Sequence, residues 1–236
     1  MRQRFEMKYI ITPKTAAILR ERVSDIMEPD SHSKDGSYVV NNLYFDDLQN
    51  SFYYAKYKGA VVRNKFRIRH YNGDLSFIRL ERKHKDGLLS YKETERISTE
   101  QYNMVKAGDL SFMLTEDSPI WQKLGVIHRL RVLRPTAIYA YRREAFVYRA
   151  GDVRFTFDGQ LFVTDDDAGA VAPIRYDSLN VNYKLSKPYQ TLLEVKYTSF
   201  LPEIIKRLLN GLPLAYTEMS KYCIARERGI LPYGKI

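Results

Sequence analysis

Two stretches decide the fold: Phe5-Glu6-Met7-Lys8-Tyr9 near the start and Leu193-Glu194-Val195-Lys196-Tyr197 late in the chain. Side chains alternate between the two faces of a β-strand, so each Glu-x-Lys spacing puts both charges on one side. Two such strands at the two ends predict a sheet that returns to its beginning. Between them lie strands whose one-sided charge is mostly positive, which points to a polyanion bound inside a barrel.

Working outward, residues 3–11 read as the first strand. Thr12-Pro13 then opens a helix with Ala16, Leu19, Val23 and Ile26 on its buried face. A β-rich run, Tyr38 to Phe45, leads to Asp46-Asp47, which cap a short helix through Tyr57. The middle is a meander: strand 61–71 turns at Asn72-Gly73, strand 75–84 turns at Asp86-Gly87, and a third strand covers 88–97. Ser98-x-x-Gln101 is a capping box for a helix to about Lys106, and Ser118-Pro119 starts another with Ile120, Leu124 and Ile127 on one face. Strands return at 136–149 and 153–158, with turns at Gly151-Asp152 and Asp158-Gly159 and a weaker strand at 161–164. Asp165-Asp166-Asp167 opens a loop, either a solvated turn or a cation site. After strand 190–198, helices run from Pro202 to Gly211 and from Thr217 to Gly229. The count is roughly eight strands with flanking helices and no linker or repeat. That predicts an α+β fold: one domain over 1–236 built on a closed antiparallel β-barrel.

With 44% apolar residues the 236-residue chain can bury a real core, and 13% aromatic content, including 19 Tyr, leans toward β structure. Thirty-eight Lys+Arg against 28 Asp+Glu give a formal net charge of +10, which favours an acidic partner. The single cysteine, Cys223, excludes an internal disulfide and reads as a small core residue; the four scattered histidines have no zinc-ligand spacing. No apolar run approaches a membrane span and no signal-peptide core is read, so a soluble cytoplasmic protein is expected.

Parity sorts the charges. Arg63, Lys65, Arg67 and Arg69 share one face of their strand, opposite Val62, Phe66 and Ile68. Arg79, Glu81 and Lys83 share a face of the next strand, and the third offers Lys92 and Arg96. Tyr139, Tyr141 and Arg143 lie together, as do Arg154, Thr156 and Asp158; Glu6/Lys8 and Glu194/Lys196 complete the set. One such strand is an ordinary solvent-facing side. Recurrence on about six strands is not, because like charges opposite one another repel and need acids or a bound anion to compensate them. Glu6, Glu81, Asp158 and Glu194 are too few to balance the bases. They are suited to holding Mg²⁺ or Mn²⁺ by one or two carboxylates, with phosphate oxygens completing the shell.

At this point the chain resembles the triphosphate tunnel metalloenzyme (CYTH-like) superfamily, and within it the VTC-type polyphosphate polymerase domain. The matching segments are Phe5 to Tyr9, Leu43-Tyr-Phe-Asp46, Lys65-Phe-Arg-Ile-Arg69, Leu80-Glu-Arg-Lys-His84, Arg134-Pro-Thr through Phe146, Val153 to Asp158, Leu193-Glu-Val-Lys196 and Ser220-Lys221. They run in family order over nearly the whole chain. The resemblance implies a tunnel of antiparallel strands that transfers the ATP γ-phosphoryl group to a growing polyphosphate. It maps phosphate ligands onto Lys8, Arg67, Arg69, Lys83, Lys92, Arg143, Arg154 and Lys221, with Tyr141 and Ser220 adding hydrogen bonds and Glu194 holding Mn²⁺ or Mg²⁺. Arg67, Arg69, Lys83 and Arg143 are the candidate catalytic residues, Lys196 a further phosphate ligand, and Glu6 and Glu81 the secondary metal ligands.

The attacking phosphate oxygen is already anionic, so this chemistry needs positioning and charge neutralisation rather than a general base. The absence of a Cys/His or Ser/His/Asp constellation is then expected. Tunnel triphosphatases open with Glu-x-Glu-x-Lys, but here Arg4 stands at the first acid. That weakens hydrolysis, in which acids must hold the metal and orient water, and agrees with the polymerase branch. No SPX-like sensor or membrane helix is read, so product translocation by this chain alone is not expected. A tunnel triphosphatase and a non-catalytic polyphosphate- or nucleotide-binding module are the alternatives. No RNP-type motif or helix-turn-helix supports nucleic acid as a partner, and inward-facing bases would exclude a duplex. The Ser220-Lys221 helix reads equally as a tunnel-mouth element or an ordinary packing helix.

Overall fold

The computed structural model describes residues 4–87, 89–163 and 190–228. In chain order its elements are β1 (Arg4–Ile11), α1 (Pro13–Ser24), β2 (Glu28–Pro29), β3 (Tyr38–Asp46), α2 (Ser51–Tyr57), β4 (Val62–Tyr71), β5 (Asp74–Asp86), β6 (Leu89–Ile97), α3 (Thr99–Lys106), α4 (Pro119–Arg131), β7 (Arg134–Tyr148), β8 (Val153–Val163), β9 (Thr191–Thr198), α5 (Glu203–Leu209), β10 (Ala215–Tyr216) and α6 (Lys221–Arg228). The fold is α+β. The strands form one large antiparallel sheet in the order β10-β1-β9-β8-β7-β3-β4-β5-β6, with β2 on β7. Eight strands are long, and β2 and β10 are two-residue additions that carry no sequence signal. Among the described residues no pairing joins β6 to β10, so this order is that of an open sheet rather than the closed barrel expected from the sequence.

Most element ends follow from local chemistry. The Thr12 hydroxyl accepts the Thr15 N–H at 3.2 Å and Pro13 sits in the first turn of α1. Ser98 and Gln101 make the reciprocal capping box of α3. Asp46 Oδ1 accepts the Phe52 N–H and its Oδ2 the Tyr53 N–H, while Asp47 Oδ1 accepts the Ser51 N–H; the first turn of α2 hangs on these two acids. Asn72 and Gly73 take φ of 50° and 70°, the left-handed pair that a two-residue hairpin requires.

Two expectations need correction. β8 runs unbroken through Asp158-Gly159, with the left-handed residue displaced to Gln160 at φ 52°. A turn there would cost Asp158 its place opposite Leu192 on β9. The last helix begins at Lys221 rather than Thr217, since Thr217 instead donates its N–H to the Lys8 carbonyl. The acidic triplet 165–167 lies outside the described residues.

The chain divides into two compact units. The first holds described residues 4–39, 141–161 and 190–219; the second holds 40–87, 89–140, 162–163 and 220–228. The core of the first is Ile11, the α1 face Ala16, Leu19 and Val23, Phe155, Phe157, Leu193, Val195 and Ile205. The core of the second packs Phe66, Ile68, Ile78 and Leu80 of β4 and β5 against Phe52, Val105, Trp121 and Leu124 from the helices. Burying the apolar parity of each strand leaves the charged parity for the opposite face.

Candidate phosphate-binding faces

In the second unit the pairing register arranges the charged parity of β4, β5 and β6 in rows. Lys65 faces Lys83, which faces Lys92; Arg69 faces Arg79, which faces Arg96. Between these basic rows runs Tyr44, Arg67, Glu81 and Thr94. Glu81, 3% exposed, is the hub. Its Oε2 accepts Arg67 Nε at 2.6 Å, its Oε1 accepts Lys92 Nζ at 2.7 Å, and Arg69 Nη2 stands 3.6 Å away. Burial pushes the Glu81 carboxyl up, but the charges and hydrogen bonds of Arg67 and Lys92 outweigh it and hold it below the ordinary carboxylate range. Three cations share one carboxylate. Arg69 Nε is buried with no hydrogen-bond partner among the described residues, and Lys83 is solvent-exposed.

Neighbouring groups shape this face. Arg67 Nη1 donates to the Tyr44 hydroxyl at 3.0 Å, and the Tyr44 ring stacks between Tyr139 and Tyr222 with centroids 5.4 and 4.8 Å away. Arg79 and Arg96 both lie over the Phe77 ring. Lys65 Nζ donates to Ser220 Oγ at 2.8 Å, which brings the residue before α6 onto the face. Tyr222 of α6 donates its hydroxyl to Asp46 Oδ2 at 2.6 Å. Ser220 is thus part of the face and Lys221 is the first, half-buried residue of α6. Cys223 is half-buried on the same helix.

In the first unit β9 pairs with β1 on one side and β8 on the other. The two Glu-x-Lys strands meet crosswise, Glu6 opposite Lys196 and Lys8 opposite Glu194. One row is Arg154, Lys196 and Glu6; the next is Thr156, Glu194 and Lys8. Lys196 Nζ lies 3.0 Å from Glu194 Oε2 and 3.6 Å from Glu6 Oε1, and Lys8 Nζ lies 3.4 Å from Glu6 Oε1. Arg143, buried, donates Nε and Nη2 to the two oxygens of Asp158, each at 2.6 Å, with Glu194 Oε2 3.5 Å from Nη2. Burial works against the Arg143 charge, but Asp158 first, then Tyr141 and Glu194, raise its pKa well above the ordinary value. The Arg143 guanidinium lies 5.3 Å from the buried Tyr141 ring centroid. Glu194 and Glu6 converge on one ammonium, an arrangement that suits one or two carboxylate ligands to a divalent ion whose remaining shell is phosphate and water.

Of the residues expected from the sequence, the second unit brings together Arg67, Arg69, Lys83, Lys92, Glu81 and Ser220, and the first unit brings together Glu6, Lys8, Tyr141, Arg143, Arg154, Glu194 and Lys196. Three further contributors, Lys65, Asp30 and Tyr38, are not among the site residues expected from the sequence. Lys65 lies in the Lys65-Phe-Arg-Ile-Arg69 segment and donates to Ser220. Asp30, buried, binds Arg154 Nη2 through Oδ2 at 2.6 Å, and Tyr38 accepts from the same nitrogen at 2.9 Å. Asp30 lies in a loop with no period to place it, so no signal pointed to it. Burial raises the Asp30 pKa, but His32 hydrogen bonds and the Arg154 charge outweigh that and leave it lowered.

Among the described residues no helix is long and apolar enough to cross a membrane. Similar solved structures include a candidate adenylyl cyclase from Hippeastrum with a dominant triphosphatase activity. It is 18% identical, with 98% of each chain covered and a TM-score of 0.58. A candidate adenylate cyclase from Bacillus halodurans is 10% identical over 88% of this chain and 86% of its own, with a TM-score of 0.50. At these identities the likeness is one of fold. No curated protein matches the chain. The VTC domain model matches residues 3–228, nearly the whole length, and the motifs it spans are those that build the two charged faces. The chain belongs to the VTC-domain family.

Proposed function

We propose that the protein is a metal-dependent polyphosphate polymerase, with 1–236 acting as one catalytic domain in the cytoplasm. The observation that carries the reading is the pair of like-charged rows, Lys65-Lys83-Lys92 and Arg69-Arg79-Arg96, flanking a row in which the Glu81 carboxylate meets Lys92 and Arg69. Directly opposed like charges are unfavourable in a sheet, and a chain of phosphates lying along them removes that repulsion.

In the reaction, the terminal oxygen of a polyphosphate attacks the γ-phosphorus of ATP. The bond from that phosphorus to the bridging oxygen breaks, ADP leaves, and the chain grows by one unit. Arg67, Arg69 and Lys83 in the second unit, and Arg143 in the first, are each suited to neutralising phosphoryl charge. Lys8, Lys92, Tyr141, Arg154, Lys196, Ser220 and Lys221 hold the flanking phosphates. Glu194 first and Glu6 second would hold the divalent ion, with Glu81, both of whose oxygens already receive cations, the third choice. Bound Mn²⁺ or Mg²⁺ would neutralise charge on the nucleotide's phosphate oxygens. Because the nucleophile arrives anionic, the site's work is alignment and neutralisation.

Hydrolysis of inorganic or nucleoside triphosphate is the second reading, favoured by the triphosphatase activity of the Hippeastrum protein. Arg4, standing where tunnel hydrolases carry an acid, favours the polymerase. Incubation of the purified protein with ATP and Mn²⁺ tests the choice. Long-chain polyphosphate on a gel, lost in Arg67→Ala, supports polymerisation. Orthophosphate alone supports hydrolysis, and tight ATP binding without turnover supports a binding module.

A further inference from the structure

We infer that Thr156 is a phosphoryl ligand, binding one phosphate together with the Nε edge of Arg154. The inference rests on the phosphate-binding reading of the first unit's charged face and goes beyond it, since neither the motifs nor the family resemblance gives Thr156 a role. Thr156 is 1% exposed, and its hydroxyl oxygen is buried with no hydrogen-bond partner among the described residues. A buried hydroxyl without a partner is destabilising, and valine, of the same shape, would fill the position without that cost. A threonine there is accounted for if a ligand supplies the missing acceptor.

Arg154 sits two residues earlier on the same face of β8, and its Nε is also buried without a hydrogen-bond partner among the described residues. Asp30 and Tyr38 hold the guanidinium by Nη2, fixing its plane and leaving Nε available. Two same-face strand positions lie about 6.7 Å apart. One tetrahedral phosphoryl group bridges that span with a hydrogen bond of about 2.8 Å at each end. The cross-strand neighbours are Lys196 beside Arg154 and Glu194 beside Thr156. A ligand here therefore has a cation at one end and the leading metal-ligand candidate at the other. Arg154 Nε can only donate, and the Thr156 hydroxyl can donate alongside it, so one acceptor satisfies both: a phosphoryl oxygen, which the guanidinium also favours over a cation.

The test is isothermal titration of inorganic tripolyphosphate into wild type, Thr156→Val and Thr156→Ser, with the melting temperature of each free protein. Thr156→Val should raise the melting temperature of the free protein by about 2–4 °C, because it removes an unsatisfied hydroxyl. It should also weaken tripolyphosphate roughly tenfold or more, as loss of a hydrogen bond to a charged group does. Thr156→Ser, which keeps the hydroxyl, should bind within about threefold of wild type, less than one hydrogen bond's worth. Equal affinity of Thr156→Val and wild type overturns the inference but leaves the phosphate-binding reading standing. A lower melting temperature for free Thr156→Val also overturns it, since the hydroxyl would then have a partner within the protein. No binding by the wild type overturns both.

Discussion

Arg143 lays two of its guanidinium nitrogens on Asp158, each 2.6 Å from a carboxylate oxygen, and turns the same Nη2 toward Glu194 at 3.5 Å. A bidentate pair of this kind fixes the plane of the guanidinium before any ligand arrives. It also means that Arg143 reaches the charged face with one acid already spent on it. Glu194 Oε2 also lies 3.0 Å from Lys196 Nζ.

Breaking that pair should be costly. Asp158→Asn keeps the volume but removes the negative charge and one of the two acceptors of buried Arg143, and the other carboxylate shown beside it, Glu194, is more distant. Removal of one partner from a buried pair destabilises by about 3–5 kcal/mol. Urea denaturation should show a loss in that range. A loss under about 1 kcal/mol, typical of an exposed pair, would mean that water reaches Arg143 and that the pair does not hold it in place.

Glu81 gives a different signature, because its neighbours are like-charged rows rather than one partner. Glu81→Gln should destabilise the free protein by about 3 kcal/mol, leaving Arg67, Arg69 and Lys92 without their shared acid. Millimolar tripolyphosphate should return more stability to this variant than to wild type, whereas sodium chloride at matched ionic strength should return little. The melting-temperature increment by anion is the measurement. Equal increments in the two proteins would show that polyanion and Glu81 do not compensate the same charges.

These rows also show where the sequence stops being readable. Parity alone assigns Arg67 and Phe66 to opposite faces, because a period of two needs no knowledge of neighbours. Which residues face one another across strands is another matter. The Asn72-Gly73 turn sets Tyr71 opposite Asp74. Carried on without a break, that register would put Arg67 opposite Ile78 and Ile68 opposite Phe77, mixing charged and apolar residues on both faces. An irregularity between Arg69 and Tyr71 shifts the pairing so that Arg67 meets Glu81. The shift satisfies the core and has no local motif. Likewise Asp158-Gly159 carries a turn signal that tertiary bonding overrides, since Asp158 is held in the strand by Arg143. Caps and hairpin tips are local and legible; bulges and loop acids such as Asp30 depend on contacts distant in sequence.

His70 predicts how acid acts on the fold. It is 6% exposed, lies edge-on to Tyr102 of α3, and its pKa is lowered to about 4 by burial, with Lys106 adding to the shift and Asp74 opposing it. The unfolded chain takes up the proton near 6.5. Below that pH the unfolded state is favoured, so stability present above pH 6.5 is lost as pH falls toward 4. Between pH 7 and 5 the loss amounts to about 2 kcal/mol. That window lies above most carboxylate titrations, and comparison with a His70 variant assigns the effect to this residue. His70→Phe should fill the site without titrating, and urea curves at pH 7 and 5 should differ less for the variant by about that amount. A variant as pH-sensitive as wild type would place the acid lability elsewhere.

Glu6 and Glu194 both reach Lys196, yet they should not contribute equally to metal binding. Glu194 is 7% exposed by its side chain and centrally placed, between Lys8 on one strand and Thr156 on the other. Glu6 is 25% exposed, and Lys8 already lies 3.4 Å from one of its oxygens. A divalent ion held with tripolyphosphate gains more from the desolvated, inner carboxylate. Glu194→Gln should therefore weaken Mn²⁺ by at least the roughly tenfold that loss of even an outer-shell partner costs, and Glu6→Gln by less. The readout is the Mn²⁺ dependence of melting temperature at saturating tripolyphosphate. The tripolyphosphate increment without metal serves as the internal control, because removing an acid from a basic face should preserve or strengthen anion binding. If Glu6→Gln proves the more damaging of the two, the ion sits nearer the start of β1 than its buried partner strand, and the metal assignment moves with it.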